Sequence, residues 1–350
     1  MSGAVIHSAA MPTGLRPIIF GSAGPSLSAD EIAFFRAVKP LGFILFARNI
    51  VDREQVRRLV AQMRDCVGYD APVLIDQEGG RVARLKGDLA HSLPPMARLG
   101  ELALVDPVGA SDAAWAIGRL LAHDLAALDI WVDCVPVLDV PVDGSHDVIG
   151  DRALARTPAM VEILGRSLAN GALAGGCLPV IKHIPGHGRA GVDSHHALPV
   201  VDAPIDVLRS HDFRPFKALA DLPMAMTAHV LYTALDAENP ATLSPVILAE
   251  IIRGEMGFSG LVMTDDLSMG ALGGTLAARA RNSLKAGCDV LLHCNGQMAE
   301  MVAIADSDPQ FSSAGLNRAK TALDARKTPD QTQLADLLDQ LGRLLPGLVH

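Results

Sequence analysis

The chain has 350 residues, and 30 Lys and Arg against 39 Asp and Glu leave a formal net charge of −9. With 49% apolar and 20% charged residues the composition excludes a disordered or collagen-like chain, and roughly 250 residues already suffice for one α/β barrel. The acidic balance, with no stretch concentrating Lys and Arg, argues against nucleic acid or an anionic membrane surface as the main partner and favours a small neutral or cationic substrate.

From the N-terminus, residues 1–15 read as a flexible extension without the basic start and apolar run of a secretion signal, and no run of about 18 apolar residues follows. A cytoplasmic location without membrane attachment is therefore expected. Cys66, Cys134, Cys177, Cys288 and Cys294 are odd in number and form no CxxC pair, so buried thiols in a reducing compartment are expected rather than a zinc ribbon or disulfide framework.

Short runs of Ile, Val, Leu and Phe bounded by Gly, Pro or Asp predict strands at 17–20, 42–47, 72–77, 130–137, 179–183, 224–229, 260–265 and 289–293. Between them, helical spacing predicts helices such as 28–38, 53–66, 111–128, 158–174, 244–254 and 276–286, several opened by a Ser, Thr or Asp suited to capping. The strands are continuously apolar, as strands buried on both faces are, so the sheet is expected to be parallel. Repeated βα units without a glycine-rich dinucleotide fingerprint predict the α/β class: a single (β/α)8 TIM-type barrel over residues 1–350. The irregular stretch 79–99 leaves room for a distorted or incomplete barrel. Residues 330–345 read as a peripheral amphipathic helix.

In such a barrel the loops after the strands build the active site. Asp76, Asp139, His183, His229, Asp265 and Asp266 all fall at or just after a predicted strand end. Taken singly, each carboxylate has a plainer reading as a helix cap or turn former; their recurrence at corresponding positions is harder to explain that way. The fifth strand ends in Lys182-His183-Ile184-Pro185-Gly186-His187-Gly188, followed by a patternless loop to Pro199. Within it Asp193 and His195 are spaced to hydrogen-bond, and a carboxylate on one imidazole nitrogen is what a His working as acid and then base requires. The seventh strand ends in Thr264-Asp265-Asp266-Leu267-Ser268-Met269, where alternation sends one carboxylate into the barrel mouth and the other into the wall. The third ends in Asp76, able to take two sugar hydroxyls, before a glycine turn that leads to Arg84; Arg152 stands in another loop. Either arginine equally suits a surface ion pair.

These stretches resemble glycoside hydrolase family 3, in particular its β-N-acetylglucosaminidases. The family's Lys-His-Phe-Pro-Gly-His-Gly corresponds to Lys182–Gly188 with Ile184 for Phe, its Asp-x-His to Asp193–His195, and its Ser-Asp-Asp-Leu-Ser-Met to Thr264–Met269. The resemblance extends from about residue 18 to residue 292. It implies Asp265 as nucleophile, His195 oriented by Asp193 as general acid/base, and Asp76, Arg84, Arg152, Lys182 and His183 as contacts to an N-acetylglucosamine ring. It further implies metal-free, cofactor-free, retaining hydrolysis of terminal β-linked N-acetylglucosamine from muropeptides carrying 1,6-anhydro-N-acetylmuramic acid. A monomer is expected.

Two other readings stand beside it. One is a metal-dependent barrel hydrolase of amidohydrolase type drawing on His183, His187, His195, His196, His229 and Asp265, although the first strand lacks the His-x-His usual there. The other is a catalytically silent sugar-binding barrel, which has no need of a nucleophile with an acid/base. His91, His123, His146, His211, His293 and His350 read as structural or surface residues, and His187 and His229 as either support or contact. Trp115 and Trp131 fall in a helix and a buried strand, so a pocket for one terminal sugar is expected rather than a long cleft.

Overall fold

The computed structural model describes residues 11–347 and residue 349. The apolar runs form strands Arg16–Gly21, Pro40–Leu45, Val73–Ile75, Val132–Asp133, Leu178–Ile184, Met224–Thr227, Leu261–Asp266 and Val290–His293, called here the first to eighth barrel strands. Each lies parallel to the next, and the eighth pairs with the first through Ile18–Leu291 and Phe20–His293, closing the barrel. Every predicted strand overlaps an observed one, and the barrel is complete.

Apart from a register shift between Arg16 and Ile19 at the start of the first strand, the irregularities lie at the ends that face the site. The fourth strand is short because Pro136 has no N–H to give the ladder; pairing resumes at an isolated bridge between Val137 and Lys182. The fifth strand shifts register between Lys182 and Ile184, and the seventh between Met263 and Asp266. Such bulges re-aim side chains beside a site, and here they fall on the residues that enter the barrel mouth.

The helices begin where side chains can satisfy free N–H groups. Ser28 and Glu31 form a reciprocal capping box at Ala29–Val38, Asp52 caps Arg53–Val67, and Thr275 caps Leu276–Ala286. Asp106 caps Pro107–Ala126, which starts ahead of the predicted residue 111, and Pro158–Ala174 matches its prediction. Ile247–Glu255 is wound as a π-helix rather than an α-helix. The stretch 79–99 holds a small antiparallel pair, Gln77–Gly79 with Val82–Ala83, and runs into a helix, Ala97–Ala103, that apolar periodicity did not mark.

At the C-terminus the helix is Leu334–Leu344, with Leu337 and Leu341 buried against Pro107–Ala126. Its start is later than expected because Asp330 accepts from Arg119 Nε (2.8 Å) and from the Thr332 N–H, holding residues 330–333 in a turn. Of the extension expected at 1–15, residues 1–10 lie outside the described residues; Leu15 is buried in the core and Met11 packs against it. All five cysteines are unpaired and buried. No helix among the described residues is long and apolar enough to cross a membrane.

Candidate active site

A cavity of about 330 Å³ opens at the C-terminal mouth of the barrel, and every sequence-predicted site residue lines it: Asp76, Arg84, Arg152, Lys182, His183, Asp193, His195 and Asp265. One wall is a row of alternating charge. Arg152 grips Glu78 with two hydrogen bonds of 2.8 Å. Lys182 Nζ lies 2.6 Å from Glu78 and 2.7 Å from Asp76, and Arg84 Nη2 donates to Asp76 at 3.1 Å. Burial pushes the Asp76 and Glu78 carboxyls up, but Lys182 with Arg84 on the first and with Arg152 on the second pulls harder, and both stay below the usual carboxylate range. Burial would likewise strip the proton from Lys182, and the two carboxylates hold it on. The wall is thus fully ionised, with donors and acceptors fixed in alternation, the surface a ring of sugar hydroxyls pairs with.

Beside that row stands His183, whose Nδ1 faces Asp139 Oδ2 at 2.7 Å. Asp139 also accepts the backbone N–H of His187 at 2.6 Å, so one fully buried carboxylate orients the His183 ring and pins the backbone of the turn that carries His187. Burial above all, then the neighbouring His183, lowers His187 to about 4, leaving it neutral at physiological pH.

Asp265 ends the seventh strand with one oxygen on the Asp266 N–H at 2.8 Å. Burial raises its carboxyl, while the imidazoles of His183 and His229 and that N–H outweigh the effect and leave it below the usual range, ionised at neutral pH. Asp266 also borders the cavity, but its carboxylate is taken by its neighbours: it accepts from Ser268 Oγ (2.7 Å) and from the Cys294 N–H (3.2 Å), tying the seventh strand's loop to the eighth. His229 spends both ring nitrogens on Thr242 Oγ1 (2.7 Å) and the Asp266 carbonyl (3.0 Å), so it braces the end of the seventh strand, where Asp265 stands.

The loop after the fifth strand brings the imidazole. Asp193 Oδ1 lies 2.8 Å from His195 Nδ1 and also accepts the His195 N–H at 2.9 Å. With Nδ1 so occupied, Nε2 is the nitrogen left for chemistry. The His195 side chain is 64% exposed, within reach of whatever fills the pocket.

Strand ends pointed to Asp76, His183 and Asp265, and the loop motifs and family resemblance to Arg84, Arg152, Lys182, Asp193 and His195; the structure gathers all of these around one cavity, and neither route singled out Glu78. Among the described residues no group of three or more His, Cys, Asp or Glu gathers in a way that could hold a metal ion; His196 is exposed and both nitrogens of His229 are taken. Of the histidines set aside, His91 pairs with Asp124 and His293 with Glu300 away from the cavity, while His350 lies outside the described residues. Neither Trp115 nor Trp131 lines the cavity.

Residues 36–324 match the glycosyl hydrolase family 3 N-terminal domain. The chain belongs to glycosyl hydrolase family 3. A β-hexosaminidase of Methylococcus capsulatus is 38% identical over 320 residues, covering 90% of this chain and 94% of that one; one from Bordetella bronchiseptica is 36% identical over 324 residues, 91% of each. Among solved structures, NagZ from Neisseria gonorrhoeae in complex with N-trifluoroacetyl-D-glucosamine superposes with a TM-score of 0.85 at 31% identity, over 95% of this chain and 98% of that one. A family 3 β-N-acetylglucosaminidase from Paenibacillus sp. gives 0.83 at 27% identity, over 94% of this chain and 66% of that one. This family 3 member is a glycoside hydrolase of the β-hexosaminidase type.

Proposed function

We propose that this hydrolase removes terminal β-linked N-acetylglucosamine with retention of configuration, through a glycosyl ester on Asp265. The observation that carries the reading is an ionised Asp265 sharing one pocket with a carboxylate-oriented His195. In the first step an Asp265 oxygen attacks the anomeric carbon, the bond to the leaving oxygen breaks, and His195 gives that oxygen its proton. In the second His195 takes a proton from water, the water oxygen attacks the same carbon, and the Asp265 carboxylate is released. Retaining glycosidases usually use two carboxylates about 5–5.5 Å apart; here an imidazole held by a carboxylate on Nδ1 would give and take the proton through Nε2. The charged row from Arg152 to Arg84 and His183 would hold the sugar hydroxyls and acetamido group. The printed ligand of the Neisseria relative, an N-acylated glucosamine, supports that choice of ring.

The physiological substrate in this reading is N-acetylglucosaminyl-1,6-anhydro-N-acetylmuramic acid, with or without its peptide, met in the cytoplasm by a monomeric enzyme during peptidoglycan recycling. It rests on the motif resemblance and on a pocket sized for one terminal sugar. The test is chromophore release from an aryl β-N-acetylglucosaminide by exhaustively chelated wild-type protein, with Asp265→Asn as blank. Turnover that survives chelation and vanishes in the variant supports the reading. No turnover before or after chelation sinks it, and metal content then separates the metal-hydrolase and silent-barrel readings.

A further inference from the structure

Residues 186–199 have almost no regular structure, yet they are held at several points. At the base the Tyr232 hydroxyl donates to the Gly186 carbonyl, Arg189 pairs with the buried Asp212 at 2.6 Å, and the His146 N–H reaches the Ala190 carbonyl at 2.8 Å. At the tip, the carbonyls of Ser194 and His195 accept from Ala271 (3.1 Å) and Gly270 (3.2 Å), which follow Asp265 on the next loop but one around the mouth. A Cβ at Gly270 would stand 3.0 Å from the carbonyl oxygens of His195 and His196, so the two loops meet backbone to backbone.

Between these anchors Ser194 alternates with its neighbours. The side chains of Asp193 and His195 face each other at the rim, while Ser194, 4% exposed, turns inward and places Oγ 3.2 Å from His187 Nε2. His187 is itself fixed by Asp139, the carboxylate that orients His183. We propose that Ser194 is a positioning residue: its hydroxyl on His187 sets where the Asp193–His195 pair stands in the pocket. This rests on reading that pair as the acid/base. Because the backbone anchors to Gly270 and Ala271 do not involve the hydroxyl, removing it leaves the loop in place and frees only the sideways position of its tip. Proton transfer to a leaving oxygen is sensitive to such displacement, whereas expulsion of a leaving group that needs no proton is not.

The test is a comparison of Ser194→Ala, Ser194→Thr and wild type on a phenyl and a 2,4-dinitrophenyl β-N-acetylglucosaminide. Ser194→Ala is expected to lower kcat/KM for the phenyl substrate about tenfold or more and for the dinitrophenyl substrate by less than about threefold, with Ser194→Thr restoring most of the loss. Equal loss on both substrates, or none on the phenyl one, overturns the inference. His195→Ala measured alongside separates the failures. If it loses both activities equally, the acid/base reading falls and this inference with it; if its loss is selective and that of Ser194→Ala is not, only the role of Ser194 falls.

Discussion

Glu78 shows how a residue's part is decided by its partners. In sequence it is a carboxylate between Gln77 and a pair of glycines, indistinguishable from an exposed turn residue. Folding brings Lys182 and Arg152 onto it and buries it to 1%. The carboxylates and imidazoles at strand ends were legible because a barrel assigns strand ends a direction; Glu78, three residues past the end of the third strand, was legible only through partners distant in sequence. Glu78→Gln keeps the shape and removes the charge, leaving Lys182 and Arg152 short of a partner. Breaking a buried pair costs about 3 kcal/mol or more, so we expect a lower melting temperature and a fall in kcat/KM of about tenfold to a hundredfold, mostly through KM. Steady-state kinetics with thermal unfolding check both.

His195→Ala tests the proposed acid/base. It should retain part of the activity toward substrates with good leaving groups and lose it toward poor ones. In that variant the Asp265 carboxyl is left to shape the acid side of the profile. Since its pKa lies below the usual carboxylate range, activity on a good-leaving-group substrate should hold through mildly acidic pH and drop only once the carboxylate itself takes up a proton. A loss centred near pH 6 in that variant would contradict the assignment.

At the scale of elements, helices were recognised where a cap and an apolar stripe coincided, as at Ser28, Asp52 and Thr275. Ala97–Ala103 escaped because it is short and opens at Met96, which offers no capping side chain. The loop 186–199 was expected to be functional by its length and lack of pattern, and it does carry the imidazole, but no sequence signal disclosed its anchors on Asp212, Gly270 and Ala271. Glycine placement was equally silent. The helices Pro107–Ala126 and Pro158–Ala174 approach so closely that a Cβ at Gly118 would overlap the Leu168 carbonyl and one at Gly171 the Trp115 carbonyl. Gly118→Ala must push backbone apart, and overpacking of this kind costs about 1–3 kcal/mol. We expect that loss in chemical denaturation with kcat/KM unchanged per folded molecule, since neither residue lines the cavity.

For the whole molecule, the barrel was legible because eight strands buried on both faces leave a continuous apolar signature. Its closure was expected from the count of eight βα units, and the distortion that the stretch 79–99 left room for is absent from the barrel wall: that stretch lies outside the closed sheet as a small antiparallel pair and a helix. The folded state also links stability to pH through His187. The unfolded chain takes up this proton at about pH 6.5, the folded one only near 4, because burial disfavours the imidazolium. Its contribution is therefore complete above the unfolded value and is lost as pH falls from about 6.5 to about 4, by roughly 3 kcal/mol. Denaturation of wild type and His187→Gln across that range should show wild type losing more than the variant by about that amount; parallel curves would contradict a buried neutral His187.

The central claim, a covalent ester on Asp265, is tested most directly by trapping. The protein is incubated with a 5-fluoro-N-acetylglucosaminyl fluoride, whose first step outruns its second, then quenched in acid, digested and mapped by mass spectrometry. The account predicts one added glycosyl mass on the peptide containing Asp265 and none in Asp265→Asn. An adduct on another residue, or turnover of the reagent with no adduct under conditions that hold glycosyl esters, would contradict it.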